Sequence, residues 1–166
     1  TLIGGLAGDA ITDADYNTAV GYASLSNNQL GSKNVALGYS TLAAMNPASA
    51  ANTFNTAVGH GAGQIVTTGV NNTFIGGLAG DAVTTASYSV AVGQGSATNT
   101  TTSSQGFTAV GADSLFTNTT GTDNVAVGRA SMYYNTTGGN NVAVGRSALQ
   151  ANTTAKFSII TYTGTG

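Results

Sequence analysis

The chain has 166 residues, of which six are acidic and four basic, for a formal net charge of −2; it has one His, no Cys, no Trp and one Pro. Four basic residues give no field for a phosphate backbone, so nucleic-acid binding is excluded. Without Cys and with a single His, a structural zinc site is excluded as well.

Leu, Ile, Val and Phe make up roughly a fifth of the residues, near the disordered range, but the net charge is far too small for that class. No apolar run approaches the ~20 residues of a membrane span. No charged and apolar leader opens the chain. The chain begins at Thr1 rather than Met, so a processed or incomplete chain is expected.

From the first residue onward the sequence repeats, which decides the fold class. The unit is Asn-(Thr/Val)-Ala-Val-Gly, then a small-residue segment and a polar turn. Its Gly falls at Gly4, Gly21, Gly38, Gly59, Gly76, Gly93, Gly111, Gly128 and Gly145, at intervals of 17, 17, 21, 17, 17, 18, 17 and 17. The longer intervals are insertions at Met45–Ala48 and within Thr100–Gln105, which marks those segments as surface loops. A block at Ile3–Ala10 (Ile-Gly-Gly-Leu-Ala-Gly-Asp-Ala) recurs at Ile75–Ala82, a duplication of four units.

Each unit predicts a five-residue strand ending at the Gly, a second short extended segment and a turn. The residue before each Gly is aliphatic: Ile3, Val20, Leu37, Val58, Ile75, Val92, Val110, Val127 and Val144. Two positions earlier stands Thr or Val, on the same strand face by the period-two rule. These columns are expected to form the core, with the nine Gly as structural turns. Between them stands Ala in seven units, with Leu2 and Phe74 in the others, an opposite face small enough for close backbone approach. Leu25, Leu42, Leu115, Met132 or Leu149 comes four residues past the Gly in five units. Asn-Thr-Thr-Gly at Asn118–Gly121 and Asn135–Gly138 reads as turn chemistry.

A unit this short cannot bury its own apolar face, but a stack of such units can. The fold expected is all-β, a parallel β-solenoid of about nine 17-residue coils spaced ~4.8 Å apart. A helical reading fails on the β-branched columns and the periodic Gly. The core columns are thin and a lone coil would leave the small Ala face exposed, so association into an intertwined or side-by-side homotrimer around that face is expected.

Asn124–Met132 (Asn-Val-Ala-Val-Gly-Arg-Ala-Ser-Met) and Asn34–Leu42 (Asn-Val-Ala-Leu-Gly-Tyr-Ser-Thr-Leu) resemble the head repeats of YadA-like trimeric autotransporter adhesins. The longer period and the Asn-Thr-Thr-Gly linkers look more like the repetitive shafts of bacteriophage tail fibres. The resemblance covers Thr1 to Lys156. It implies a left-handed parallel β-roll with three chains about one axis. It also implies a virion or otherwise extracellular shaft, joined to other fibre or tail proteins, that reaches a host receptor through a distal region. The alternative is the head of an adhesin on a bacterial surface. Residues 1–156 are expected to be the shaft, and 157–166 a divergent last coil or the passage to another domain, since Ile160 and Thr161 stand where Ala and Val belong.

No residue set points to an enzyme, a cofactor, a metal or membrane insertion. His60 follows Gly59 in an outward, variable column with Gly5, Tyr22, Tyr39, Gly77, Gln94, Ala112, Arg129 and Arg146. No partner recurs beside it for catalysis. Tyr22, Tyr39, His60, Arg129 and Arg146 are the candidate receptor contacts. Asp9, Asp13, Asp15, Asp81, Asp113 and Asp123 read as turn residues rather than a glycosidase pair. Gly-Gly-Leu-Ala-Gly-Asp-Ala departs from calcium-repeat spacing. Asn17, Asn34, Asn55, Asn72, Asn124 and Asn141 are expected to form a ladder along the stack. An ice-binding Thr array is disfavoured because the Thr column reads as inward.

Overall fold

A computed structural model describes residues 1–100 and 106–161. Among these residues there is no helix, and the chain is a β-solenoid of about nine turns. Ten strands form one parallel sheet: β1 (Leu2–Ile3), β2 (Thr18–Val20), β4 (Val35–Leu37), β6 (Thr56–Val58), β7 (Thr73–Ile75), β8 (Val90–Val92), β9 (Thr108–Val110), β10 (Val125–Val127), β11 (Val142–Val144) and β12 (Ile159–Thr161). The register repeats from coil to coil, as in Val125↔Val142, Ala126↔Ala143 and Val127↔Val144. Most strands are three residues long, shorter than the five expected, because the left-handed backbone at the Gly ends the extended run.

The second extended segment forms a sheet once, where β3 (Gly31–Ser32) pairs with β5 (Ala51–Asn52). β5 lies in the coil with the 21-residue interval, and residues 48–50 of its loop are exposed. The second insertion falls on residues 101–105, outside the described residues. At the other end β12 pairs in register with β11, so Ile159–Thr161 continue the stack. Tyr162 and the rest of the last segment lie outside the described residues.

The core is not where the strand pattern placed it. In β2 through β11 of the main sheet the middle residue is buried and its neighbours are not. Ala19, Ala36, Ala57, Phe74, Ala91, Ala109, Ala126 and Ala143 have no exposed surface. Val20, Leu37, Val58, Val92, Val110 and Val127 are half-buried and point outward. Ile3, Ile75 and Val144 are more open still, at 58%, 40% and 40% exposed. The expected core column is therefore an outer face, and the Ala face around which chains were expected to associate is closed inside the coil. A 17-residue coil encloses a narrow lumen, and the strand centre must leave space in it for the side chains opposite.

Those side chains are Leu25, Leu42, Leu115 and Met132, buried four residues past the Gly. They hold a left-handed backbone, for example φ 52° at Leu25 and 48° at Leu42. That conformation is costly for non-Gly residues and persists only where packing enforces it.

The exceptions in the repeat compensate in volume. Phe74 replaces Ala at the strand centre, and the facing residues become Gly63 and Gly80. A Cβ at Gly80 would lie 2.7 Å from the Phe74 ring, and one at Gly63 2.8 Å from it. Leu2 is matched by Gly8 in the same way, at 2.8 Å. In these coils large and small residues thus trade places across the lumen, as close packing requires.

The repeated Gly has a second cause besides its turn. At Gly59, φ is +127° and a Cβ would stand 2.6 Å from the carbonyl oxygen of Gly76 in the next coil. No other residue meets both conditions.

Phe74→Ala is expected to destabilise the fold by about 3–5 kcal/mol through the cavity it leaves. Adding Gly80→Leu should restore a large part of that loss, because Leu occupies the same left-handed position in other coils. Chemical denaturation of the single and double variants measures both. Additive losses would contradict the volume compensation.

Candidate functional site

Two files of Asn run along the lumen and close its polar wall. In the first, the side-chain oxygen of each Asn accepts from the backbone N–H one coil on. Asn34 N–H donates to Asn17 Oδ1 at 2.8 Å, Asn55 to Asn34 at 3.0 Å, Asn72 to Asn55 at 3.0 Å and Asn141 to Asn124 at 3.0 Å. The amide nitrogens donate to carbonyls of the neighbouring turn, as Asn55 Nδ2 does to Gly69 at 2.8 Å and Asn72 Nδ2 to Ala86 at 2.8 Å. These Asn are buried, and the expected ladder is present.

The second file was not expected. Asn135 Nδ2 donates to Asn118 Oδ1, and Asn152 Nδ2 to Asn135 Oδ1, each at 2.8 Å. Asn118 and Asn135 are fully buried, although the sequence reads them as turn residues. Their spacing of 17 was the available signal. Both files satisfy buried amides, so they are structural.

The outward surface carries two further files. The first is the flat outer face of the main sheet, with two columns about 6.6 Å apart, two strand residues. One column is aliphatic throughout the nine Gly-ended units; the other alternates Thr18, Thr56, Thr73 and Thr108 with Val35, Val90, Val125 and Val142. The Thr column thus faces outward, opposite to the expectation, because it shares its strand face with the aliphatic column. Two residues before the Thr/Val column stand the exposed aromatics Tyr16, Phe54, Tyr88 and Phe157, at 82%, 49%, 66% and 78% exposure. Lys33 Nζ lies 5.2 Å from the Phe54 ring centroid.

The second file is the one that follows the repeated Gly. Tyr22 stacks on Tyr39 with centroids 5.7 Å apart and planes 13° apart. Tyr39 stacks on His60 at 5.0 Å and 9°. Arg129 and Arg146 are exposed in the same file, beyond Gly77, Gln94 and Ala112. Three of the five candidate contact residues thus form one continuous ladder, and the two Arg stand apart from it. A separate aromatic group joins Phe116 to Tyr133 at 4.8 Å, and Tyr133 to Tyr134 edge-on at 4.7 Å.

Among the described residues no three His, Asp or Glu side chains converge. Asp9, Asp13, Asp15 and Asp123 are exposed, and Asp81 and Asp113 half-buried. Asp81 differs from its sequence twin Asp9, since its Oδ1 is sealed from solvent without a hydrogen-bond partner. Burial pushes its carboxyl above the ordinary value, against the backbone N–H groups of Ala82 and Asp81, which lower it.

Compared with known proteins, the chain matches no family model, no curated protein and no solved structure.

The Asp81 carboxyl gives a pH signature. Its raised pKa means that the folded state holds more protons than the unfolded one between the ordinary carboxylate value and the raised value. Stability therefore falls as pH rises through that window and stays lower above it. Asp81→Asn should raise the melting temperature at pH 7 and leave it unchanged near pH 3. Thermal melts at the two pH values test this, and an equal effect at both would contradict it.

Proposed function

We propose that this chain is a non-enzymatic shaft segment, a stiff solenoid that joins two further copies of itself through the outer sheet face. The assembly would form a homotrimeric fibre that presents a host receptor-binding tip at a distal region. The observation that carries this reading is the outer face itself. It extends over ten stacked strands, about 45 Å at the usual spacing. With side chains about 10 Å across it, that is on the order of 450 Å² of nearly uncharged surface, at the upper end of what monomers expose. The exposed aromatics beside it are the residue type that anchors protein interfaces. A three-chain arrangement and a phage-type tail fibre are supported by the sequence resemblance; the head of a bacterial surface adhesin is the alternative on the same basis.

Outward Thr18, Thr56, Thr73 and Thr108 in register on a parallel sheet favour a second reading, an ice-binding surface. The unbroken aliphatic column beside them favours contact with protein.

The distinction between lumen and outer face separates two variants. Ala126→Asp puts an unpaired charge into the lumen and should prevent folding. Val127→Asp is expected to leave a folded solenoid with native circular dichroism but abolish association. Sedimentation velocity at micromolar concentration reads the difference. A wild-type chain that sediments as a folded monomer would overturn the fibre reading, and inhibition of ice growth by that monomer would favour the second.

A further inference from the structure

The aromatic ladder has a vacant next rung. In chain order its file reads Gly5, Tyr22, Tyr39, His60, Gly77, Gln94. Each position is tied to the next by the same backbone bond: Ala23 N–H to the Gly5 carbonyl, Ser40 to Tyr22, Gly61 to Tyr39, Leu78 to His60 and Gly95 to Gly77, all between 2.8 and 3.0 Å. The rungs therefore rise one coil at a time. The imidazole of His60 has Tyr39 on one face and the Gly77 coil on the other. A Cβ at Gly77 would meet nothing within 4 Å. The duplicated Gly-Gly-Leu block brackets the ladder, since Gly5 and Gly77 are the same position of its two copies.

The result is a notch one coil wide. Its floor is Gly77, one wall is the exposed imidazole of His60 backed by Tyr39, and the other is the exposed side chain of Gln94. His60 and Gln94 stand two coils apart, about 9.6 Å. One ring inserted midway would lie about 5 Å from the imidazole, within the range of ring stacking and equal to the rung spacing of the ladder.

We propose that this notch binds one pyranose unit of a neutral glycan, stacked by its apolar face on His60 and hydrogen-bonded at its rim by the Gln94 amide. The chemistry favours a sugar over other ring-shaped ligands. The notch is shallow and open, so a ligand needs an apolar face and a polar edge together. Ring faces carry negative quadrupole density and attract the weakly positive C–H groups of a pyranose. A nucleobase would bring phosphates to a chain with four basic residues, none of them among the three that form the notch. This site goes beyond the shaft reading and does not depend on it.

Gly77 also provides the decisive variant. Its backbone lies outside the left-handed region and its Cβ position is open, so Gly77→Tyr is compatible with the fold and fills the vacant rung. Chitotetraose and cellotetraose, whose equatorial pyranoses present flat apolar faces, serve as probes in calorimetric titration and saturation-transfer NMR. Binding by the wild-type chain is expected at about 0.1–5 mM, the affinity of a single small subsite. Gly77→Tyr and His60→Ala should each weaken it at least ~10-fold, with the melting temperature of Gly77→Tyr unchanged. Absence of binding by either probe at ~10 mM, or undiminished binding by Gly77→Tyr, would overturn the proposal. The sedimentation state is read separately, so a failed fibre reading and a failed glycan site remain distinguishable.

Discussion

Everything in this fold follows from the distance at which one coil lies on the next. The backbones meet at the repeated Gly, where a Cβ on Gly59 would stand 2.6 Å from a carbonyl oxygen of the coil beside it. That contact fixes the register, because a slip by one residue would put Ala or Val side chains where only hydrogen fits. The stack can then absorb extra residues only away from the contact, as the exposed loop after Pro47 does. It also explains the lumen. Coils of seventeen residues held this tightly enclose little space, so most strand centres shrink to Ala while the strand's own Val, Ile and Leu face outward.

A narrow lumen cannot be held together by apolar burial alone. A few side chains per coil, such as Ala19 with Leu25, remove little surface from water. Polar groups fill the remaining wall, and they are tolerated because nearly all are paired. The Asn side chains bridge adjacent coils on both sides, and the Ser file adds bonds such as Ser24 Oγ to the Ala36 carbonyl at 2.9 Å. Each such bond contributes about 1 kcal/mol net, and an unmade one in the interior costs more. Asp81 Oδ1 and Thr100 Oγ1 are the buried side-chain atoms without partners among the described residues. Both stand in the middle of the chain, where the Asn file of the turn is replaced by Met45, Val66, Val83 and Thr100.

The period, the parallel stacking and the first Asn ladder were legible because each is a statement about spacing. The direction of the strand faces was not. Alternation assigns residues to two faces without saying which one meets the lumen, and aliphatic residues on one face suggest the wrong answer. Volume held the missing information. Phe74 coincides with Gly63 and Gly80, and Leu2 with Gly8, so large and small residues trade places across one cavity. Only residues that share a lumen need to do so, and Val20 or Val127 show no such exchange with any partner. The left-handed backbone at Leu25 and Leu42 was equally hidden, since propensity argues against it and only burial enforces it. As for the candidate site, neighbouring positions in the file predicted adjacency of Tyr22, Tyr39 and His60, but the ring stacking and the open face over Gly77 needed coordinates.

The two outward files obey opposite rules, and this bears on function. The outer column before the Gly holds only Ile, Val or Leu in nine successive units, at positions that are half-buried or exposed. Strand propensity and partial burial both favour aliphatic residues there, and in the proposed fibre the same column would meet another copy. The file after the Gly is unrestricted, running through Gly, Tyr, His, Gln, Ala and Arg without change in the backbone hydrogen bonds beneath it. A repeat that fixes one surface and frees another can hold its shape while its chemistry varies along the axis. In the proposed glycan site recognition would belong to the free file, where Gly77 leaves an open position beside His60.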